Sequence, residues 1–478
     1  MAAPPRLGCA PLALAPRADS ALRALRASSR GQAASLTSSG PIGDHVGTVP
    51  GAERSQAKSA DEPRLGAASR DAPASAYVHL PFCKRRCFYC DFPVRAVGDD
   101  AGTPAVQDAM SKYVDLVCAE IDANVRLGSR PLQTVFFGGG TPSLTAPGLL
   151  ERILASLRRK LGIAHGAEIS MEADPGTFDA VKLRAYLDLG VSRFSVGVQA
   201  FQEELLRGGG RSHSLADVRR AIEDMHAVAP PSWSLDLISG LPFSTPAAWE
   251  ESLRMAVEAQ PHHVSVYDLQ VEEGTPFGHW YSPGQSPLPS DATSSAMYVM
   301  ASETLRSSGY EHYEVSNYAK PGHQCRHNLT YWTRRQCYAF GLGAASYLMG
   351  RRFRRPAKMA AYRKWVHSLQ GEAVPMGGQP KESLRDQMEE ELMLRLRLRE
   401  GLDLMQFENE FGAAAREAVV GVLAHFVDRG LVEVDAPCHK SLLSGGVRQA
   451  GERVRLTDPS GWLVSNDIIS DLFVALPD

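Results

Sequence analysis

Three things are scarce in this chain of 478 residues, and each scarcity removes a class of function. Long apolar runs are missing: no uninterrupted hydrophobic stretch approaches the roughly 18–20 residues that a membrane-spanning helix needs, so no membrane span is expected. Net charge is nearly missing: 51 Lys and Arg against 54 Asp and Glu leave a formal charge of −3, which marks neither nucleic acid nor an anionic membrane as the main partner. Cysteine is sparse, with 8 in all, and unevenly used: Cys83, Cys87 and Cys90 are packed together, whereas Cys9, Cys118, Cys325, Cys337 and Cys438 are scattered. A disulfide framework would spread its cysteines; a tight cluster in an intracellular chain points to metal or redox chemistry. No internal repeat is present. The hydrophobic share of 44% and the length allow a large core and more than one domain.

Acid is scarce at the start of the chain. Residues 1–43 carry Arg6, Arg17, Arg23, Arg26 and Arg30 against Asp19 alone, amid Ala, Ser, Leu and Pro. That composition matches a mitochondrial transit peptide, with import into the matrix expected; a disordered tail is the alternative. Residues 44–75 read as a linker without periodicity.

From about residue 76, short apolar or alternating runs recur with helical patterns between them. The runs predict strands at 77–82, 134–137, 168–172, 193–199, 234–238 and 263–269, with helices over 105–127, 147–161, 178–189, 214–228, 247–259 and 290–307. Strand–helix alternation builds a parallel sheet with right-handed crossovers, and six units make an α/β fold: a partial (βα)6 TIM-like barrel over 76–310. Chemistry in such barrels sits at the C-terminal ends of the strands. Residues 311–380 form an extension. Over 381–478, helical patterns at 383–399 and 413–429, Asp403 as an N-cap and strands at 432–434 and 453–456 predict a C-terminal α+β winged-helix-like domain.

Cys83-Lys-Arg-Arg-Cys87-Phe-Tyr-Cys90 is a C-x3-C-x2-C run directly after the first strand. Three thiolates on one loop bind three irons of a [4Fe–4S] cube and leave the fourth open to chelate S-adenosylmethionine (SAM). Zinc is the alternative, but a structural zinc site needs a fourth ligand, which only His79 or Cys118 could supply.

Tyr77-Val-His79-Leu-Pro-Phe-Cys83, continuing through Cys90-Asp-Phe92, resembles the opening of the HemN/HemW branch of radical SAM proteins, and the similarity runs in order over about 76–475. The resemblance implies a SAM pocket. Gly139, Gly140 and Thr141 of Gly138-Gly139-Gly140-Thr141-Pro142 would receive the methionine amine, with glycines permitting close backbone approach; a tight strand exit is the alternative. Glu172 would hold the amino-acid end of SAM, Arg211 would clamp its carboxylate, and Gln199 and Asp236 would take ribose hydroxyls. Tyr77 and Tyr89 would shape the pocket. One departure affects Arg211: the family shows Leu-Gly-Arg where this chain has Arg207-Gly208-Gly209-Gly210-Arg211.

Within the branch, HemN-type proteins are oxygen-independent coproporphyrinogen III oxidases and carry a fourth cysteine two residues after the third. Here that position is Phe92. HemW-like proteins share the gap, which implies a haem chaperone delivering haem to apo-haemoproteins; an oxidase-like radical SAM enzyme is the alternative. Cys325-Arg326-His327-Asn328-Leu-Thr-Tyr331-Trp332 matches the HemW-type HNxxYW motif. His327 is the candidate haem ligand, with Tyr331 and Trp332 over a porphyrin face and Arg326 at a propionate; an internal packing motif is the alternative. Winged helices often bind DNA through a basic helix, but residues 401–430 hold Glu408, Glu410, Glu417 and Asp428 against only Arg416 and Arg429, so no nucleic acid is expected. A homodimer and peripheral membrane association are left open.

Overall fold

The computed structural model describes residues 72–124, 126–128, 130–369, 382–435 and 452–477. The leader reading of residues 1–43 and nearly all of the linker lie outside them, as do Cys9 and Cys438.

The six expected strands form, in register, as β1 (Ser75–Leu80), β4 (Leu132–Gly139), β5 (Ile163–Ala173), β6 (Arg193–Gln199), β7 (Ser232–Ser239) and β8 (His263–Asp268); the short β2 (Phe82–Cys83) and β3 (Arg95–Ala96) pair beside the cysteine loop. The six lie parallel in the order written. Helices Pro104–Ala123, Pro147–Lys160, Ala180–Asp188, Leu215–Val228 and Pro246–Glu258 connect them, and Asp291–Ser307 follows β8. A short helix, Glu203–Gly208, was not expected.

The extension completes the sheet. Its strands β9 (Glu311–Glu314) and β10 (Asn317–Ala319) add antiparallel beyond β8, and β11 (Tyr338–Phe340) adds parallel beyond β1. The strand order is linear and ends at β11 and β9, so the barrel is partial; β12 (Ala345–Leu348) and β13 (Arg351–Arg354) pair antiparallel in a sheet of their own.

Alternation along the strands sorts the two faces. Val78, Val135, Met171, Val196, Leu235 and Val264 join the apolar core shared with the helices. The alternate positions face the lumen and are polar and buried: His79, Thr134, Ser170, Arg193, Ser234, Asp236 and Ser265. Buried polar groups require partners, so this inner face demands a network or a ligand.

The C-terminal region has its own apolar core, built on Leu392, Leu404, Val419, Leu423, Ile468 and Leu472. Asp403 caps the helix Leu404–Phe411 as expected, accepting from Gln406 N at 2.9 Å. The expected two-stranded hairpin is a three-stranded antiparallel sheet: β14 (Leu402–Asp403) joins β16 (Arg453–Leu456) beside β15 (Val432–Val434), and a terminal helix, Ser465–Ala475, packs on Ala413–Val427. Two residues are too short to show a strand period, which is why β14 is invisible in the pattern.

Candidate radical site at the barrel mouth

The cysteine loop leaves β2 at the C-terminal mouth of the barrel, with all three thiols half-buried. Burial pushes Cys83 up to about 12 and Cys90 up to about 11, with the neighbouring thiols adding to the effect. Bare, the thiols of Cys83 and Cys90 are therefore held protonated, and cationic iron is what would make them thiolates. Among the described residues no three His, Cys, Asp or Glu side chains converge on a single ion, as a zinc site requires. Both candidate fourth ligands for zinc are engaged elsewhere. His79 is buried, with Nε2 on Pro93 O at 3.0 Å and Nδ1 on the Tyr77 hydroxyl at 3.1 Å, and burial lowers it to about 4. Cys118 donates to Arg152 O from the helix Pro104–Ala123. A cube binds each thiolate at a different corner, so three spaced thiols with no fourth ligand fit it.

Thr141 and Arg211 both reach the thiols. Thr141 Oγ1 lies 3.5 Å from Cys83 Sγ, and Arg211 Nη1 donates to Cys87 Sγ at 3.3 Å and to the Tyr89 hydroxyl at 3.2 Å. Its Nη2 is bound to Asp174 and to Gly197 O. In this conformation Asp174 takes one nitrogen of the guanidinium expected to clamp the SAM carboxylate and a second nitrogen supports the cysteine loop, while Arg211 Nε is buried without a partner among the described atoms. Burial pushes the Asp174 carboxyl up, but Arg211 and His213 outweigh it and leave it below the ordinary value. Asp174 and His213 were missed by sequence reasoning, although an acid beside a proline at a strand end was a visible signal. The additional glycine before Arg211 has a packing reason as well. Gly210 has φ +72°, and a Cβ there would come within 2.9 Å of the Phe88 ring.

The Gly138–Thr141 turn is likewise read first as a tight strand exit. A Cβ at Gly139, whose φ is +116°, would meet the His79 ring at 2.4 Å, and one at Gly140 would meet Pro81 backbone at 2.7 Å. The glycines let β4 close on β1. What the turn presents to the lumen is Gly139 N, which donates to Glu172 Oε2 at 2.9 Å.

Glu172 is the most perturbed carboxyl at the mouth. Burial raises it to about 8, only partly opposed by Gly139 N, and Asp236 adds to the rise. A neutral acid at that depth is poised to ionise when a cation arrives, which is what the ammonium and sulfonium of SAM provide. Gln199 has φ +69°, and its Oε1 is buried without a partner among the described atoms. An orphaned buried acceptor at the barrel mouth fits a ligand hydroxyl or amine. Asp236 is less free: it accepts from Ser195 Oγ at 2.8 Å and from Ser234 Oγ at 3.0 Å. It lies deeper, as part of the serine ring of the inner wall. Tyr77 lines the same lumen, packed on Phe136, and Tyr89 is held under Arg211.

The HNxxYW segment lies at the opposite end. The helix Arg326–Trp332 closes the N-terminal end of the barrel, with Glu168 accepting from His327 N at 3.0 Å and Arg326 N at 3.2 Å. His327 has no exposed surface; its Nδ1 is on Thr134 Oγ1 at 2.8 Å, its Nε2 on the Tyr331 hydroxyl at 2.7 Å, and its ring stacks on Phe136 at 5.2 Å. Burial lowers it to about 3. Trp332 is buried in the C-terminal core, and Arg326 reaches Gly166 O. The expectation that His327 ligates haem under Tyr331, Trp332 and Arg326 is corrected: neither ring nitrogen is free, and Trp332 is internal. The sequence could not separate a ligand histidine from a keystone histidine, because both need a neutral ring held by neighbours.

Comparison with known proteins agrees with this geometry. Residues 77–256 match the Radical SAM superfamily and residues 383–439 the HemN C-terminal domain. A protein of Synechocystis named heme chaperone HemW is 42% identical over 85% of this chain and 98% of its own length. The Bacillus subtilis protein of the same name is 31% identical over 75% of this chain and 92% of its own length. The solved coproporphyrinogen III oxidase HemN of Escherichia coli superposes with a TM-score of 0.69 at 22% identity, covering 86% of this chain and 92% of that one, which shows the shared fold. A [4Fe–4S] cluster and SAM are the cofactors that go with such a chain. The chain belongs to the HemW family of radical SAM proteins.

Proposed function

We propose that this protein is a haem chaperone: it binds haem and hands it to apo-haemoproteins, with the cluster on Cys83, Cys87 and Cys90 and SAM at the barrel mouth. The observation that carries the reading is the match to relatives named heme chaperone HemW along nearly their whole length. Phe92 supports it, standing 37% exposed where the oxidases have a fourth cysteine. When bound, the cluster supplies one electron to the SAM sulfonium. The chain's own part is to seat SAM. Glu172 and the Gly139–Thr141 backbone take its amino-acid end, and Gln199 offers an acceptor to its ribose. Arg211 and Thr141 brace the thiols that hold the cluster.

The test is haem transfer. Full-length protein, anaerobically reconstituted with iron and sulfide and loaded with haem, should convert an apo-haemoprotein to its holo form faster than free haem does. It should form no protoporphyrinogen from coproporphyrinogen III. Turnover to protoporphyrinogen would defeat the chaperone reading in favour of the oxidase, whose support is the HemN-like fold. Mitochondrial import is part of the proposal and rests on the arginine-rich, acid-poor residues 1–43. Fusing these residues to a reporter should carry it into isolated mitochondria, and a reporter left outside would remove that part alone.

A further inference from the structure

His263 opens β8 on the inner face of the barrel, buried, and links two side chains that nothing local in the sequence joins. Its Nδ1 lies 2.8 Å from Ser234 Oγ on β7, and its Nε2 lies 2.9 Å from the Tyr313 hydroxyl on β9. Ser234 Oγ donates to Asp236 Oδ1 at 3.0 Å, and the Tyr313 oxygen accepts from Cys325 N at 3.3 Å. Cys325 is the N-cap of the helix Arg326–Trp332. A continuous run of hydrogen bonds therefore joins the helix that seals one end of the barrel to a carboxylate of the inner wall.

The donors in this run can be ordered. An amide N–H only donates, and an ionised carboxylate only accepts. Ser234 spends its one proton on Asp236, so its oxygen takes a proton from His263 Nδ1–H. Burial holds the imidazole neutral, with the nearby Arg193 and His323 adding to the effect. A neutral ring with its hydrogen on Nδ1 has a bare Nε2, which accepts from the Tyr313 O–H. The reverse order strands a proton: Nε2–H and Cys325 N–H would both point at the Tyr313 oxygen, and the phenol proton would need an acceptor that none of these groups supplies. Every donor thus points toward Asp236, and hydrogen bonds aligned in one direction polarise one another.

We infer that His263 and Tyr313 are positioning residues of the SAM pocket, which orient and stabilise the Asp236 carboxylate for a ribose hydroxyl without touching SAM themselves. The inference rests on SAM lying at the barrel mouth as proposed above. Asp236 is placed for it: its charge is felt by Glu172, and Arg193 favours its ionised form. Ser195, Ser234 and Ser265 supply at most three hydroxyl protons to a group that accepts about four, so a ligand O–H completes the set. Burial alone pushes this carboxyl toward its neutral form, and the aligned donors oppose that. Because the run starts at Cys325 N, a displacement of the helix Arg326–Trp332 would be felt at the same carboxylate.

The test uses the full chain, reconstituted anaerobically, with SAM affinity read by calorimetry and broad cluster absorbance as the folding control. Wild-type protein carrying labelled histidine ring nitrogens should show His263 as the Nδ1–H tautomer by nuclear magnetic resonance. His263→Leu should weaken SAM binding about tenfold, and Ser234→Ala by a similar factor. The double variant should bind no worse than Ser234→Ala alone, because both changes cut one run of bonds. His263→Asn, whose side-chain N–H can stand where Nδ1–H does, should recover most of the affinity, and Tyr313→Phe should lose a few-fold. A role in packing alone gives additive losses and no recovery with Asn. Additive losses, an Nε2–H tautomer, or wild-type affinity in His263→Leu would overturn the inference. If His263→Leu assembles no cluster, Tyr313→Phe decides in its place, and unchanged affinity there counts against the inference. A wild-type chain that holds its cluster and binds no SAM would instead overturn the SAM reading itself.

Discussion

The two ends of this barrel are lined by the same kinds of residue and do opposite things. At the N-terminal end, Glu168, Thr134, His327 and Tyr331 bond one another and seal the lumen with a helix, although Asn328 Oδ1 stays without a partner among the described atoms. At the C-terminal mouth, burial pushes the Glu172 carboxyl and the Cys83 and Cys90 thiols up toward their neutral forms, and Gln199 Oε1 has no partner among the described atoms. The histidine at the closed end has both ring nitrogens bonded to protein, whereas at the open end the Gln199 carbonyl is left for a ligand. The lesson is that a polar motif becomes a site through what it leaves unpaired.

The comparison can be broken most decisively at the mouth. Cys87→Ser should abolish the broad visible absorbance of the reconstituted cluster and all SAM cleavage, with no change in far-ultraviolet circular dichroism. At the closed end, Glu168→Ala should destabilise the fold by about 1–3 kcal/mol in denaturant titration, because it removes the acceptor of the first N–H donors of the helix Arg326–Trp332. Clusters per folded molecule should not change. His327→Ala should cost about 2–3 kcal/mol in the same assay and leave the haem spectrum as in wild type; a changed Soret band would restore this histidine as ligand. Gln199→Ala should weaken SAM binding about tenfold by calorimetry with stability unchanged, since its acceptor bonds nothing in the free protein.

The smallest effect is pH-dependent. Glu172 lies above the ordinary carboxyl value when folded, so between about pH 4.5 and 8 the folded chain holds a proton that the unfolded chain releases. Its contribution is therefore favourable at low pH and is lost as pH rises through that window. Glu172→Gln should raise the melting temperature of the cluster-free protein at pH 8 and leave it nearly unchanged at pH 4.5; equal shifts at both would show that Glu172 is not held neutral.

The strands of the barrel were legible because each is buried on both sides and bounded by turn residues, so period and length agree. The cysteine spacing was legible because the thiols sit on one short loop, where distance along the chain is distance in space. The partners of Arg211 were not, because Asp174 and Arg211 come from different strand ends and nothing local couples them. Nor was the pairing of β11 with β1, which joins residues some 260 apart in a contact of three residues per strand.

By itself the sequence determined the parallel strand set, the three-thiol loop with no fourth ligand, and the family to which they belong; each is written in local order, in a period or a spacing. Which histidine is walled in and which faces water was decided by the tertiary structure. Burial and hydrogen-bond partnership arise only when distant strands close a lumen, and those two properties determine whether a nitrogen is available to a metal.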